Sequence, residues 1–348
     1  MAEQLSQSEL DYPFKLLEYF NGFRVSKAIF SACELGVFDL LLQSQKPLAA
    51  REVGQALGTS EDGIERLLDV LVGIQILEVE HVEGTVYYSS TDVSNLYLAK
   101  ASPKSLHPMI VYFSQTIYPL WSNLGDAVRE GKNQNEKAFG LPSEDIFAAM
   151  YRSEEEMLKF MGLMNSTWVI DGHDIATAFN LAAFKSIVDL GGCSGGLASE
   201  LAREYPSSRV TVLDLPRVIQ TAKQHFTDSG STIHFQEGDF FEGDLPPADL
   251  YVLARIIHDW KEEKCEQLLR KIHSSCLPGG GVLIVEALLF ENRRGPITAQ
   301  LFSLNMLVQT EGKEHPPSRY TRMLTQAGFS NVQVCRTGKS YDAVLAIK

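Results

Sequence analysis

The 348-residue chain carries a formal net charge of −13 and is 45% hydrophobic. That length exceeds one typical core, so two domains are expected, and the acidic balance argues against nucleic acid as the main partner. The opening MAEQLSQSELDY lacks the apolar segment of a signal peptide, and no apolar run reaches the length of a membrane span. Cys33, Cys193, Cys265, Cys276 and Cys335 are odd in number and scattered, with no CxxC pair. Reduced thiols in a cytoplasmic protein are therefore expected, rather than a disulfide scaffold or a zinc site.

Residues 1–100 read as mostly helical. FRVSKAIFSACELGVFDLLLQ has apolar residues at helical spacing. LAAREVGQALGTSEDGIERLLDVLVG predicts two helices broken at Gly58-Thr59-Ser60, with Ser60 near an N-cap. ILEVE and EGTVYYSS predict two strands around a glycine turn. Helix, turn, helix, hairpin is the winged-helix pattern. A DNA-reading helix needs positive charge, whereas here Glu61, Asp62, Glu65 and Asp69 face a lone Arg66. Dimerisation or covering of a substrate is the expected role. Residues 101–184 predict long amphipathic connector helices, SLHPMIVYFSQTIYPLWSNLGDAVREG and SEDIFAAMYRSEEEMLKFMGLMNSTWVIDG.

From 185 to 348 the period changes. SIVDLGG, RVTVLDLP, ADLYVLARIIHDW and GGVLIVEALLF hold short apolar runs separated by helical stretches. This predicts an α/β fold with a doubly wound parallel sheet. VQVCRTGKSYDAVLAIK predicts an antiparallel C-terminal hairpin around Gly338.

The strand ends carry the chemistry. Asp189 precedes Gly191, Gly192, Gly195 and Gly196, and a helix follows; such a turn lets a ligand approach backbone. Asp214 ends the next strand, 25 residues after Asp189, and Gly238-Asp239-Phe240 follows a third. A carboxylate at the second strand end suits ribose hydroxyls. An acid beside an aromatic ring suits adenine. A carboxylate at the glycine turn repels pyrophosphate but suits a cationic amino-acid tail. The combination favours S-adenosylmethionine over NAD.

In this order, DLGGCSGG, VTVLDLP, EGDFF, LARIIHDW, PGGGVLIVEALL and LNMLVQTEGKE resemble the small-molecule O-methyltransferases of plants and animals. YFNGFRVSKAIFSACELGVFDLL extends the likeness over nearly the whole chain. The resemblance implies a class I methyltransferase fold over 185–348, a winged-helix-like dimerisation domain over 1–100, and a homodimer. It implies that Tyr151, Trp168, Gly191, Asp214, Gly238, Asp239, Phe240 and Arg255 hold S-adenosylmethionine, with a hydroxyindole as acceptor. The family usually has glycine where Cys193 stands. A positive φ there would cost a cysteine on the order of 1 kcal/mol.

Methyl transfer to a hydroxyl requires that oxygen to lose its proton. A phenol with pKa near 10 is ionised to about one part in a thousand at neutral pH, a deficit of roughly 4 kcal/mol. His258, following an apolar strand on the cofactor side of the sheet, is the candidate base. Asp259 adjoins it, and the resemblance supplies Glu314, ahead of Glu286, to orient the imidazole. Asn305 and Gln309 share a helix face at i, i+4; with Met306 they are expected to receive the acceptor. No residue spacing suggests a metal site. Indole, flavonoid and catechol acceptors all satisfy this arrangement. A binding protein without effective catalysis is the alternative that Cys193 keeps open.

Overall fold

The computed structural model describes residues 10–141, 146–227 and 230–348. The first nine residues of the polar N-terminal stretch, and the first three residues of the second predicted connector, 143–145, lie outside the described residues. The chain divides into two units that meet at Thr116 and Ile117, so the stretch 101–184 is shared between them.

The first unit contains α1 (Phe14–Leu35), α2 (Val37–Ser44), β1 (Leu48–Ala49), α3 (Ala50–Leu57) and α4 (Glu61–Gly73). β2 (Leu77–Val82), β3 (Thr85–Ser90), α5 (Asp92–Tyr97) and α6 (His107–Tyr112) follow. The helix expected across Leu35 is two helices, because Gly36 takes φ 82° and its N–H caps α1. The expected break before α4 is present, with Ser60 Oγ accepting the Gly63 N–H at 3.1 Å. β2 and β3 turn through Glu83 and Gly84 at φ 50° and 82°, and β1 adds to β3. Tyr88 Oη donates to Asp69 at 2.7 Å, tying the hairpin to α4. On α1, Phe14, Tyr19, Phe20 and Phe23 are each more than half exposed. A helix with so many exposed aromatic side chains leaves apolar surface uncovered within its own unit.

The second unit opens with α7 (Tyr118–Trp121), α8 (Leu124–Glu130), α9 (Asn135–Phe139), α10 (Ile146–Met150) and α11 (Glu154–Ala176). The two long connectors are therefore broken. A π-helical stretch, Phe113–Ile117, leads directly into α7, two turn residues, Ser122 and Asn123, separate α7 from α8, and left-handed Gly131 ends α8. Ser153 Oγ caps α11 by accepting the Glu156 N–H at 3.2 Å. Among the described residues, no helix is long and apolar enough to cross a membrane.

β4 (Ser186–Leu190), α12 (Gly196–Glu204), β5 (Arg209–Asp214), α13 (Pro216–His225), β6 (His234–Glu237) and β7 (Ala248–Ala254) come next. They are followed by a 3₁₀ turn at Ile257–Asp259, α14 (Glu262–Ser275), β8 (Cys276–Glu286), α15 (Ile297–Gln309), α16 (Pro317–Gln326), β9 (Ser330–Cys335) and β10 (Asp342–Ile347). The strands form one sheet in the order β6-β5-β4-β7-β8-β10-β9. β10 runs antiparallel to both its neighbours. The predicted hairpin exists, but its last strand sits inside the sheet and β9 forms the edge.

Alternation along the strands fills both faces. Ile187, Val212, Leu250, Val252 and Leu283 face one core. Val188, Leu213, Tyr251, Leu253 and Ile284 face the other. Both faces are covered, which is why the strands read as continuous apolar runs. Polar side chains are left to gather at the strands' C-terminal ends.

Candidate active site

A cleft of about 660 Å³, partly open to solvent, lies at those strand ends. Gly191, Asp214, Gly238, Asp239, Phe240 and Arg255 line it from the sheet side, together with Asp259. Tyr151 lines it from the connector helices, joined by Phe147, Phe160 and Met164. Trp168 stands apart, buried against Tyr341 with ring centroids 5.8 Å apart. A Cβ on Gly196 would lie 3.1 Å from the Trp168 ring, so Trp168 backs the start of α12. Sequence reasoning passed over Phe147, Phe241 and Trp260, which also line the cleft. Their only signal was aromaticity, which core residues share.

The glycine turn is shaped by close packing. Gly191 has φ 71°, and a Cβ there would meet Ile256 at 2.6 Å and Phe240 at 3.2 Å. Its N–H donates to the Leu213 carbonyl at 2.8 Å. Asp214 then fastens the turn, because its two oxygens accept the Cys193 N–H at 2.9 Å and the Leu215 N–H at 2.7 Å. Burial pushes the Asp214 carboxyl up to about 6 despite those two donors.

Asp189 is buried with no hydrogen-bond partner on either oxygen. Burial, and then Asp214, push it up to about 7. The Arg255 Nε is likewise buried and unpartnered, and its Nη1 donates to the Met164 thioether at 2.9 Å. Unsatisfied buried groups cost free energy unless a ligand meets them. Carboxylates for ribose and a cationic tail, aromatic faces for a base and a glycine-rich turn fit S-adenosylmethionine.

Cys193 has φ 54°. It belongs to a buried cluster with Met157, Met161 and Met164, it lines the cleft, and burial pushes its pKa well up. It is a packed side chain in a strained backbone position rather than a reactive thiol. Cys193→Ala keeps that strain and loses the sulfur's contacts. Cys193→Gly loses the contacts too but relieves about 1 kcal/mol of strain. The alanine variant is therefore expected to melt below the glycine variant. Thermal unfolding of both decides it, and the reverse order would refute the strain.

His258 sits in the 3₁₀ turn, buried. Its Nδ1 lies 2.6 Å from Glu314 and 3.1 Å from Glu286. Its Nε2 lies 3.7 Å from Asp259, which faces the cleft. Glu286 Oε1 accepts the N–H groups of Ile256, Ile257 and His258 at 3.1, 2.8 and 3.3 Å. Both acids thus flank the imidazole, whereas the sequence pointed first to Glu314. Burial works against a charge on His258, but Glu286, Glu314 and Asp259 outweigh it and hold its pKa up at about 10. Asp259 is itself pushed up to about 6 by burial, against the pull of His258 and Arg255.

The possible ligand atoms of His258, Glu286 and Glu314 lie within 4.8 Å of one another, a proximity that their sequence spacing does not disclose. Nδ1 is committed to Glu314, and Glu286 Oε1 to three backbone donors. The grouping is a hydrogen-bonded imidazole with one ring nitrogen left for other work.

Asn305, Met306 and Gln309 lie together on α15, as their spacing required, but outside the cleft lining. Asn305 Oδ1 accepts the Trp121 indole N–H at 2.7 Å, and Asn305 Nδ2 donates to Gln309 Oε1 at 2.9 Å. Met306 is buried.

A parallel sheet with an antiparallel hairpin, an acid-lined cleft and a carboxylate-flanked histidine define a methyltransferase. The model of the O-methyltransferase domain matches residues 121–330 and that of the O-methyltransferase dimerisation domain matches 17–100; the chain belongs to the O-methyltransferase family. Among its relatives, acetylserotonin O-methyltransferase of Gallus gallus is 54% identical over 99% of both chains. Acetylserotonin O-methyltransferase of Homo sapiens is 48% identical over 98% of this chain and 99% of its own. The crystal structure of human N-acetylserotonin methyltransferase in complex with SAM matches with a TM-score of 0.94 at 48% identity. That match covers 100% of this chain and 99% of the other.

Proposed function

We infer that this chain transfers the methyl group of S-adenosylmethionine to the 5-hydroxyl of N-acetylserotonin. The products are melatonin and S-adenosylhomocysteine, and the enzyme works as a cytoplasmic homodimer. The observation that carries the reading is the carboxylate-flanked His258 beside the acid-lined cleft, joined to it through Asp259. Full-length relatives acting on acetylserotonin support the acceptor. The exposed aromatic side chains of α1, with Tyr19, Phe20 and Phe23 inside the dimerisation match, support the dimer.

Bound S-adenosylmethionine supplies an electrophilic methyl group on a sulfonium. Asp214 binds its ribose, Asp239 and Phe240 its adenine, and Gly191 and Arg255 its amino-acid end. Tyr151 closes the connector side, and Trp168 acts through the helix start that it supports. Asn305 and Gln309, paired with each other and with Trp121 and set back from the cleft lining, would meet the acceptor only by exchanging those bonds for its acetamide, with Met306 behind them. His258 takes the hydroxyl proton at Nε2. Glu314 and Glu286 keep Nδ1 protonated and offset the imidazolium charge. Holding oxygen and methyl in line provides most of the remaining acceleration.

The test is transfer of a labelled methyl to N-acetylserotonin, beside flavonoid and catechol phenols, across pH. N-acetylserotonin is expected to be the preferred acceptor; a preferred flavonoid or catechol with normal cofactor binding would overturn the acceptor assignment. The neutral imidazole is the base, and its pKa is raised. Activity should therefore rise with pH, with its acidic limb well above neutrality rather than near 6.5. Glu314→Gln removes one of the charges that raise it, so the limb should move down in that variant.

A further inference from the structure

Beyond the cleft, the segment Thr310–Glu314 lies flush against the turn that carries His258. The Glu311 N–H donates to the Asp259 carbonyl at 3.3 Å. The Glu311 carboxylate pairs with Lys261 and Lys264 at 3.7 and 3.5 Å, at the start of α14. Between these points a Cβ on Gly312 would overlap the His258 carbonyl oxygen. It would also come within 2.7 Å of the His258 carbonyl carbon and of the Trp260 nitrogen. Those neighbours are backbone atoms, which cannot swing aside as a side-chain end can. Gly312 is not among the glycines at positive φ, so its constraint is space rather than conformation. Thr310 Oγ1 accepts the Gly312 N–H at 3.3 Å. Two residues on, Glu314 reaches the Nδ1 of the same histidine.

We propose that Gly312 is a positioning residue for His258. Its missing side chain lets Thr310–Glu314 clamp the turn, backbone against backbone, so that Glu314 meets Nδ1. The inference rests on His258 being the base. Four acceptor and charge groups act on that ring: Asp259 on its own turn, Glu286 from β8, Glu314 from the clamping segment and His315 just after it. Only the last two move with the clamp. Opening it withdraws Glu314, frees the Asp259 carbonyl from the Glu311 N–H, and leaves Glu286 on β8 beside the ring.

The experiment uses the full-length enzyme with Gly312→Ala and Thr310→Val, the second removing the Gly312 anchor without intruding on the turn. Methyl transfer across pH, cofactor affinity by calorimetry and thermal unfolding are measured for each. For Gly312→Ala we expect kcat to fall about 10- to 100-fold, cofactor affinity to stay within about 2-fold, and the acidic limb to move down. Thr310→Val should move the limb the same way by less. A limb unmoved in both variants overturns the proposal, as does a kcat loss matched by an equal loss of cofactor affinity. If Gly312→Ala does not fold, the Thr310→Val limb decides alone, in either direction. Failure of the underlying reading looks different: His258→Ala would then retain both turnover and the limb.

Discussion

His258→Ala is expected to lower kcat for methyl transfer by about 10²- to 10⁴-fold while S-adenosylmethionine still binds. The size follows from the acceptor. Removing a phenolic proton costs roughly 4 kcal/mol at neutral pH; the raised pKa of His258 confines its neutral form to higher pH, so the comparison is made above the acidic limb, where a positioned base contributes about 10²- to 10⁴-fold. Binding should survive because the imidazole lies behind Asp259 rather than in the lining of the cleft. The substitution also leaves Glu286 and Glu314 without their cationic partner. Stranding a buried charge costs on the order of 3–5 kcal/mol. His258→Gln, which restores a donor, should accordingly fold better and turn over as poorly. Steady-state transfer from labelled cofactor, with thermal unfolding beside it, separates the two effects. Near-normal turnover in a folded His258→Gln enzyme would assign the proton to another group, Asp259 first.

Asp214→Ala is expected to weaken S-adenosylmethionine binding by about 100-fold or more. Each charge-assisted hydrogen bond is worth roughly 1.5–3 kcal/mol. This carboxylate makes two to the turn, from Cys193 and Leu215, before any to ribose. A tenfold loss corresponds to about 1.4 kcal/mol, so one lost bond to ribose and a loosened turn reach two decades together. The carboxyl is pushed up to about 6, and the ionised form is the acceptor. Cofactor affinity of the unaltered enzyme should therefore fall as pH drops through 6. Calorimetry on both proteins at two pH values checks this. An alanine variant within about 3-fold of the original affinity would remove Asp214 from the site.

Much of this site could be read from the sequence because chain-local signals coincide there. Apolar runs end in Asp189, Asp214 and Ala254, and the sheet must turn its C-terminal ends to one side. The acids, the glycine turn and His258 were bound to converge. What residue spacing alone does not give depends on contacts between distant segments, which only the family resemblance supplied for the two acids beside His258. Glu286 and Glu314 reach one imidazole from 28 and 56 residues away, and no spacing rule encodes that. Gly312 looks like any loop glycine until the His258 carbonyl appears beside it. Asn305 and Gln309 showed the right periodicity, yet their amides are engaged with each other and with Trp121, 184 residues from Asn305. Helix boundaries failed where short breaks interrupted a good apolar pattern, at Gly36 and at Ser122 and Asn123.

The order of the sheet has a consequence for how the enzyme is made. Translation delivers strands from the N-terminus onward, so β10 leaves the ribosome after every other strand. Its place is nonetheless between β8 and β9, paired with β8 from Asp342↔Glu286 to Ile347↔Gly281. Until those residues emerge, the strand that ends in Glu286 has one bare edge, and bare edges invite pairing with other nascent chains. A premature stop before Asp342 therefore removes an inner stave of the sheet rather than trimming a tail.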